Sequence, residues 1–125
     1  MEIDKITEKI LFCAFRVHSE LGPGLLESTY EKCLAYELIE QGLTVEQQKI
    51  LPLTYKKLEL QHGYRLDLQV EGKVIVEVKA VEKLTEVHVA QVLTYLKLTG
   101  CKVGLLLNFQ VDSLKTGIRR VSKSK

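Results

Sequence analysis

The stretch YRLDLQVEGKVIVEVKA, residues 64–80, decides the fold and raises the question of function. Two apolar runs flank a glycine-containing turn, which predicts a β-hairpin. The runs nevertheless carry Asp67, Glu77 and Lys79 among valines, leucines and an isoleucine. Such charges belong either to the solvated face of an ordinary hairpin or to a sheet that holds a metal ion.

The turn of this hairpin decides whether the two acids can meet. A strict two-residue Glu71-Gly72 loop would place Asp67 opposite Val76 and separate the carboxylates. A three-residue loop, Val70-Glu71-Gly72, changes the parity and puts both acids on one face. The longer loop is favoured, because a type I′ turn needs positive φ at Glu71, whereas the longer loop needs it only at Gly72.

The three charged residues would then form a set with recognisable chemistry. Neighbouring carboxylates repel one another unless a cation lies between them. Hard divalent ions such as Mg²⁺ prefer oxygen ligands and keep several waters. A lysine beside them can orient or deprotonate an attacking water, or stabilise charge on a phosphate. An acid-x-lysine triplet alone is a weak motif, so a solvated face with cross-strand ion pairs stays the alternative.

Around the hairpin, helical and strand periodicities alternate. The predicted elements are a helix capped by Asp4 and ended by LGPG at 21–24, a helix from about Leu25 to Gln41, strands over 45–55, 64–70 and 73–79, a helix over about 85–98, a buried strand over 102–109 and a short edge strand over 117–121. KLEL at 57–60 extends the first strand or begins the next, and Pro52 indicates an edge or a bulge. The strand at 102–109 follows a helical crossover, so it can lie parallel to an earlier strand.

Composition sets further bounds. A chain of 125 residues fits one domain, residues 1–125, and contains no apolar run that suggests a membrane span or a targeting segment. Three widely spaced cysteines suit a reduced cytoplasm. The net charge of +2 neither demands nor excludes nucleic acid. The basic ending RRVSKSK is either a frayed tail or a phosphate contact.

Two helices carry further polar residues on apolar faces. Glu27 shares a helical face with Tyr30 and with two leucines further along, so it lies at the upstream end of a buried stripe. The alternative for Glu27 is a first-turn acid that reaches solvent. Gln91 and Tyr95 are one turn apart, and an amide and a phenol that face inward need polar partners. An amphipathic flank is the alternative for this pair.

The heptad GLLESTY at 24–30 has the pattern G-x-x-E-x-x-Y and resembles the GxxExxY family, a branch of the PD-(D/E)xK nuclease-like superfamily. LDLQVEGKVIVEVKA, AQVLTYLKLTG and VGLLLNF resemble later blocks of the same family, so the resemblance spans nearly the whole chain. It implies an α/β fold with a restriction-endonuclease-like core, in which helices flank a mixed sheet of about four to five strands. Leu66 stands where the superfamily's name has proline.

The resemblance also implies roles. Glu27 would be the helical acid, Asp67 the central aspartate, and Glu77 and Lys79 the acid and lysine of E-x-K, while Gln91 and Tyr95 resemble the Q-x-x-x-Y element of RecB-like nucleases. The candidate catalytic residues are Asp67, Glu77, Lys79, Gln91 and Tyr95; the candidate ligands of Mg²⁺ or Mn²⁺ are Glu27, Asp67, Glu77 and the Val78 carbonyl; the candidate substrate-binding residues are Tyr30, Arg65, Arg119 and Arg120.

The predicted function is metal-dependent phosphodiester hydrolysis by a DNA nuclease of the cytoplasm. Its predicted partners are nucleic acid and either a second copy of the chain or a larger protein. No membrane is expected among them. Because fold does not fix function, the alternative is a non-catalytic module that binds nucleic acid or protein. A nuclease subunit that is active only with its partner is a third interpretation.

Overall fold

The structure is a computed structural model that describes residues 1–123, apart from the side chain of His62. In chain order the elements are α1 (Ile3–Leu21), α2 (Glu27–Glu40), β1 (Val45–Tyr55), β2 (Leu58–Val70), β3 (Val74–Lys79), α3 (Glu86–Thr99), β4 (Val103–Asn108), a 3₁₀ helix (Leu114–Gly117) and β5 (Ile118–Ser122). The predicted α/β architecture is confirmed. None of the helices described is long and apolar enough to cross a membrane.

The sheet has five strands in the order β1-β2-β3-β4-β5. The first three are antiparallel neighbours, β4 is parallel to β3, and β5 is antiparallel to β4. Helix α3 makes the crossover that allows β3 and β4 to lie parallel. Helices α1 and α2 cover one apolar face of the sheet, and α3 covers the other. The sheet is therefore mixed, and its central strands are buried on both faces.

Helix α1 follows from its apolar spacing. Ile6, Ile10 and Cys13 recur at helical intervals and are buried against the sheet. The helix ends where Gly22 takes a φ of 65°, which a residue with a side chain rarely adopts. The prediction of Asp4 as the N-cap is wrong, because Glu2 occupies that position. Asp4 lies in the first turn, where the helix dipole favours an acid.

The edge position of β1 explains the proline within it. The pairing of β1 with β2 shifts register between Leu51 and Leu53, on either side of Pro52. Proline has no N–H for a ladder, so an irregular place on an edge strand is where a sheet tolerates it. Both an edge and a bulge are present. KLEL begins β2, which makes β2 one strand of 13 residues.

The β2–β3 turn differs from its prediction by one residue. The closing pair is Val70↔Val74, so the loop is Glu71-Gly72-Lys73. The loop has three residues, as expected, but it begins one position later. Gln69 faces Ile75 across the hairpin, which gives the predicted parity.

The conformation of this turn corrects a second expectation. Both Glu71 and Gly72 have positive φ, 56° and 65°, where only the glycine was expected to. Thr44 explains the exception. Its carbonyl accepts from the Glu71 N–H at 2.8 Å, and its own N–H donates to the Glu71 carboxylate at 2.6 Å. These two hydrogen bonds hold Glu71 in a left-handed conformation that its side chain alone would disfavour.

Candidate active site

The candidate site lies where β2 and β3 separate. Beyond the last paired residues, the Asp67 N–H donates to Glu77 Oε2 at 2.8 Å, and the Val78 N–H donates to Asp67 Oδ2 at 2.8 Å. Carboxylate oxygens therefore accept the hydrogen bonds that backbone carbonyls would take in a continued ladder. The two acids are held next to each other by the backbone of the strands that carry them.

Side-chain alternation breaks at Asp67. Leu66 packs in the core beneath α3, whereas Leu68 packs in the core beneath α1 and α2. Residues two apart on a regular strand would share a face. Parity, from which the meeting of the acids was predicted, therefore does not fix the direction of Asp67. The hydrogen bonds at the point where β2 and β3 separate fix that direction.

Gln48 lies in β1 beside this irregularity, between the pairs that flank Asp67. Its φ is 50°, which is uncommon for a residue with a side chain. The Gln48 amide donates to Asp67 Oδ1 at 3.2 Å and to Glu31 Oε1 at 2.7 Å. Gln48 therefore links the central aspartate to a buried acid of α2.

The electrostatics of the pair disfavour two negative charges. The pKa of Glu77 is raised to about 8, chiefly by burial and in part by the charge of the neighbouring Asp67. Burial also raises the pKa of Asp67, against the hydrogen bond from the Val78 N–H, which lowers it. A cation between the carboxylates would remove the repulsion that these shifts reflect.

Helix α3 brings two polar side chains to the same end of β3. Lys79 Nζ donates to Gln91 Oε1 at 3.3 Å. Tyr95, one turn further along, is buried, and burial raises its pKa to about 12, with the charges of Glu77 and Asp67 adding to the effect. The Tyr95 hydroxyl therefore stays protonated at neutral pH and can donate a hydrogen bond.

Glu27 reaches the edge of the site from α2. Glu27 is the first residue of that helix and is exposed, as expected for a first-turn acid that reaches solvent. Its Oε2 nevertheless accepts from the Ala80 N–H at 3.0 Å, one residue beyond β3, and its charge raises the pKa of Asp67. The structure thus brings Glu27, Asp67 and Lys79 to one end of the sheet.

Tyr30 does not contact this site. Its side chain is fully buried, its hydroxyl donates to the Gly22 carbonyl at 2.6 Å and accepts from the Leu25 N–H at 3.1 Å, and its ring stacks on Phe109. The prediction that Tyr30 binds substrate is wrong. The phenol satisfies backbone groups of the turn between α1 and α2, and so fixes the approach to Glu27.

The basic candidates do not converge. Arg119 and Arg120 are consecutive in β5 and point to opposite faces of the sheet. Arg119 lies 3.8 Å from the Glu86 carboxylate and Arg120 lies 3.3 Å from that of Asp4. Arg120 is exposed and pairs with α1 on the face opposite Glu77, away from the acids, and its role in substrate binding stays a prediction. The alternative in which the basic ending is a frayed tail from Arg119 onward is wrong, because β5 runs to Ser122. Residues 124–125 lie outside the described part of the chain.

The substrate-binding roles of Arg65 and Arg119 also stay predictions. Arg65 is exposed on β2, two residues before Asp67. Arg119 pairs with Leu106 of β4, and Leu106 pairs with Glu77 of β3, so Arg119 and Glu77 lie on the same face of the sheet.

Glu31 and Gln48 are the site residues that the sequence interpretation missed. Burial raises the pKa of Glu31, and its hydrogen bond from Gln48 lowers it. One signal was available for Glu31: it follows Glu27 by four residues, which places the two acids one turn apart. No sequence signal marks Gln48, because nothing in the local sequence requires positive φ there.

The oxygen donors fit a hard divalent ion. Among residues 1–123, no group of three or more ligating His, Cys, Asp or Glu side chains is already assembled. Mg²⁺ usually keeps several waters and takes one or two carboxylates together with substrate phosphates, and Asp67 and Glu77 supply those two. The pair does not fit zinc, which prefers three or four nitrogen or sulfur ligands.

A family model of the PD-(D/E)XK nuclease superfamily matches residues 4–121. The chain belongs to this superfamily, which points to phosphodiester hydrolysis, a nucleic-acid substrate and divalent metals as the general cofactors. The crystal structure of SSO0001 is similar, with a TM-score of 0.51 and 13% sequence identity over 100% of this chain and 79% of that one. At that identity the likeness shows the fold alone. No curated protein matches the chain.

Proposed function

We propose that this chain is a Mg²⁺- or Mn²⁺-dependent nuclease that hydrolyses phosphodiester bonds in DNA. One observation carries the proposal: the carboxylates of half-buried Asp67 and buried Glu77 are fixed where β2 and β3 separate, with Lys79 beside them, in a member of a nuclease superfamily. We place the chain in the GxxExxY branch, which the positions of Glu27 at the site and Tyr30 beneath the adjoining turn support. Residues 1–125 would act as one domain.

The roles follow from the contacts. Asp67 and Glu77, with the Val78 carbonyl and with Glu27 through a water, would hold the divalent ion. When bound, such an ion polarises the phosphate and lowers the pKa of a coordinated water. Lys79, oriented by Gln91, would position the attacking water or stabilise developing charge.

The decisive experiment compares Lys79→Ala with Asp67→Ala. Cleavage of labelled single-stranded DNA, duplex DNA and RNA is measured with Mn²⁺ or Mg²⁺, and Mn²⁺ binding is measured by calorimetry. We expect Lys79→Ala to abolish turnover and to keep metal binding, because the ammonium is not a ligand. Asp67→Ala should lose both. Lys97→Ala, an exposed lysine of α3, is the matched control.

Inactivity of the wild type on every substrate, with no Mn²⁺ bound, would favour the second candidate function. This is a non-catalytic module that binds nucleic acid or protein, because one fold can serve several functions. Activity that appears only after addition of a cell extract would indicate a partner-dependent subunit. Light scattering tests whether the chain binds a second copy of itself, as one of the two predicted partners. The three free cysteines, all within the described residues, support a cytoplasmic location.

A further inference from the structure

The β1–β2 hairpin extends beyond the rest of the sheet. β2 pairs with β3 only from Leu68 to Val70, so residues 49–65, here called the arm, continue as a two-stranded ribbon. Between residues 52 and 63 every side chain that the structure describes is exposed, except that of Leu53, which is half-buried. The arm begins two residues from Asp67, and it therefore projects from the candidate active site itself.

The arm carries the positive charge of the chain. Its four basic residues and one acidic residue are Lys49, Lys56, Lys57, Arg65 and Glu59, which gives a net +3 with histidine neutral. Because the whole chain carries +2, the remaining residues carry a net −1. A concentrated positive field next to an acidic site attracts a polyanion toward the arm rather than toward the body.

Two lysines form the tip of the arm. Tyr55 pairs with Leu58, which leaves Lys56 and Lys57 as a two-residue loop. Lys56 has a φ of 55°, a conformation in which glycine or asparagine is more common. Its Nζ lies 5.4 Å from the centre of the Tyr55 ring. The tip thus presents two ammonium groups and an aromatic ring, at some cost in backbone strain.

Apolar side chains occupy one face of the arm. The pairs Leu53↔Leu60 and Tyr55↔Leu58 share that face, and Tyr55 and Leu58 are 62% and 57% exposed. At the base, Tyr64 is 40% exposed and lies close enough to Tyr95 to contribute to the raised pKa of that residue. Exposed aromatic rings therefore stand at both ends of a basic ribbon.

We propose that the arm binds a single-stranded segment of nucleic acid that leads into the active site. Lys56, Lys57 and Arg65 contact phosphates, and the rings of Tyr55 and Tyr64 stack on unpaired bases, whose flat faces accept aromatic side chains without regard to sequence. The eight β2 residues of the arm, from Leu58 to Arg65, give it a reach of about 26 Å. The inference rests on the proposed nuclease function for the identity of the site at its base.

A second copy of this chain fits the arm less well. Two arms that packed through their apolar faces would bring two net charges of +3 together, and like charges oppose such a contact. A polyanion meets the same surface with complementary charge. The apolar residues then lie against bases and sugars instead of against another protein.

The test measures binding separately from cleavage. Fluorescence anisotropy follows a labelled DNA single strand of about 16 nucleotides in buffer with EDTA. We expect Lys56→Gln with Lys57→Gln to weaken binding about tenfold and to reduce the slope of log K against log salt by about 1.4, which is two phosphate contacts on a single strand. The control, Lys5→Gln with Lys115→Gln, removes the same charge from exposed positions outside the arm and should leave the slope unchanged.

Tyr55 distinguishes stacking from general apolar contact. Tyr55→Phe keeps the ring and should bind as the wild type does. Tyr55→Leu keeps apolar area without a flat ring and should bind about tenfold more weakly. Equal affinity of the Leu and Phe variants would overturn the stacking role, and arm variants that bind DNA as tightly as the wild type would overturn the inference.

A small diester separates this inference from the proposed function. Bis(p-nitrophenyl) phosphate is too short to reach from the acids to the tip, so its Mn²⁺-dependent hydrolysis should be equal in the wild type and the arm variants. Arm-dependent binding without any hydrolysis would keep the arm and overturn the nuclease. Hydrolysis without arm-dependent binding would do the reverse. A change from dimer to monomer by light scattering in the arm variants would assign the arm to a second copy.

Discussion

Glu77 is a carboxylate that the fold buries, and its burial makes the stability of the metal-free chain depend on pH. Its pKa rises from 4.5 to about 8 on folding. Below pH 4.5 the carboxyl is protonated in both states, and this contribution to stability is fully present. As the pH rises toward 8 the unfolded chain loses the proton while the folded chain keeps it, so the free energy of unfolding falls.

We therefore expect urea unfolding in EDTA to show lower stability at about pH 8 than at about pH 5, with a slope of up to about 1.4 kcal/mol per pH unit. Glu77→Gln carries no titrating proton and should flatten this slope. If the variant loses as much stability as the wild type over the same range, another group is responsible.

Gln48 offers a way to separate backbone strain from function. Its φ of 50° suits glycine, while its amide holds Asp67 and Glu31. Both Gln48→Gly and Gln48→Ala remove the amide and should reduce kcat/KM for DNA about tenfold. Only glycine also relieves the strain, so it should be the more stable of the two by about 1 kcal/mol in chemical denaturation. Equal stabilities would show that the conformation stores no strain.

At this scale the sequence revealed the residues whose chemistry is in their spacing. Glu77 and Lys79 alternate in a valine-rich strand, and Asp67 lies on the partner strand across a glycine turn. The sequence did not reveal Gln48, because its role depends on a backbone conformation imposed by the neighbouring strand. The helical spacing placed Tyr30 in a buried stripe, but it did not show that the Tyr30 hydroxyl binds the turn between α1 and α2 instead of substrate.

Among the elements, the packing of α3 on β4 positions Gln91 against Lys79. Gly104 of β4 allows the close approach, because a Cβ there would lie 2.6 Å from Val92 Cγ1. Gly104→Ala should destabilise the chain by about 1–3 kcal/mol through overpacking and should lower turnover as α3 shifts.

The matched variant is Gly104→Ala with Val92→Ala, which removes the methyl group that the new Cβ would meet. We expect the double variant to be more stable than the sum of its single effects by at least about 0.5 kcal/mol, because the two positions are in contact. Thermal unfolding of the four proteins in this cycle provides the measurement. Additive effects would mean that the clash is relieved elsewhere.

Elements were predictable where periodicity was long and local. The stripe of α1 and the apolar run of β4 depend on the burial of one face or both faces, and the sequence shows this directly. The β2–β3 turn was placed one residue early because Glu71 adopts positive φ. The cause is a pair of hydrogen bonds to Thr44, which lies 27 residues away along the chain. Local turn preferences cannot register such a contact.

At the scale of the whole molecule, the fold places an acidic pair at the point where an antiparallel hairpin meets a parallel pair of strands. Strands β2 and β3 separate there, and the separation leaves the N–H groups of Asp67 and Val78 free to bind carboxylates. The same separation releases the arm. A single departure from regular pairing therefore creates both the site and the basic ribbon beside it.

The acidic pair also couples metal binding to the unfolding of the entire chain. Without metal, burial and the neighbouring acids disfavour the Asp67 charge, so Asp67→Asn, which keeps the size of the side chain, should raise the free energy of unfolding in EDTA by about 1 kcal/mol. With Mn²⁺ at about one hundred times its Kd, the wild type should gain about 2.7 kcal/mol and the variant almost nothing. The order of the two stabilities should therefore invert on addition of metal. Differential scanning fluorimetry with and without Mn²⁺ measures this inversion, and an equal shift in both proteins would show that Mn²⁺ binds elsewhere.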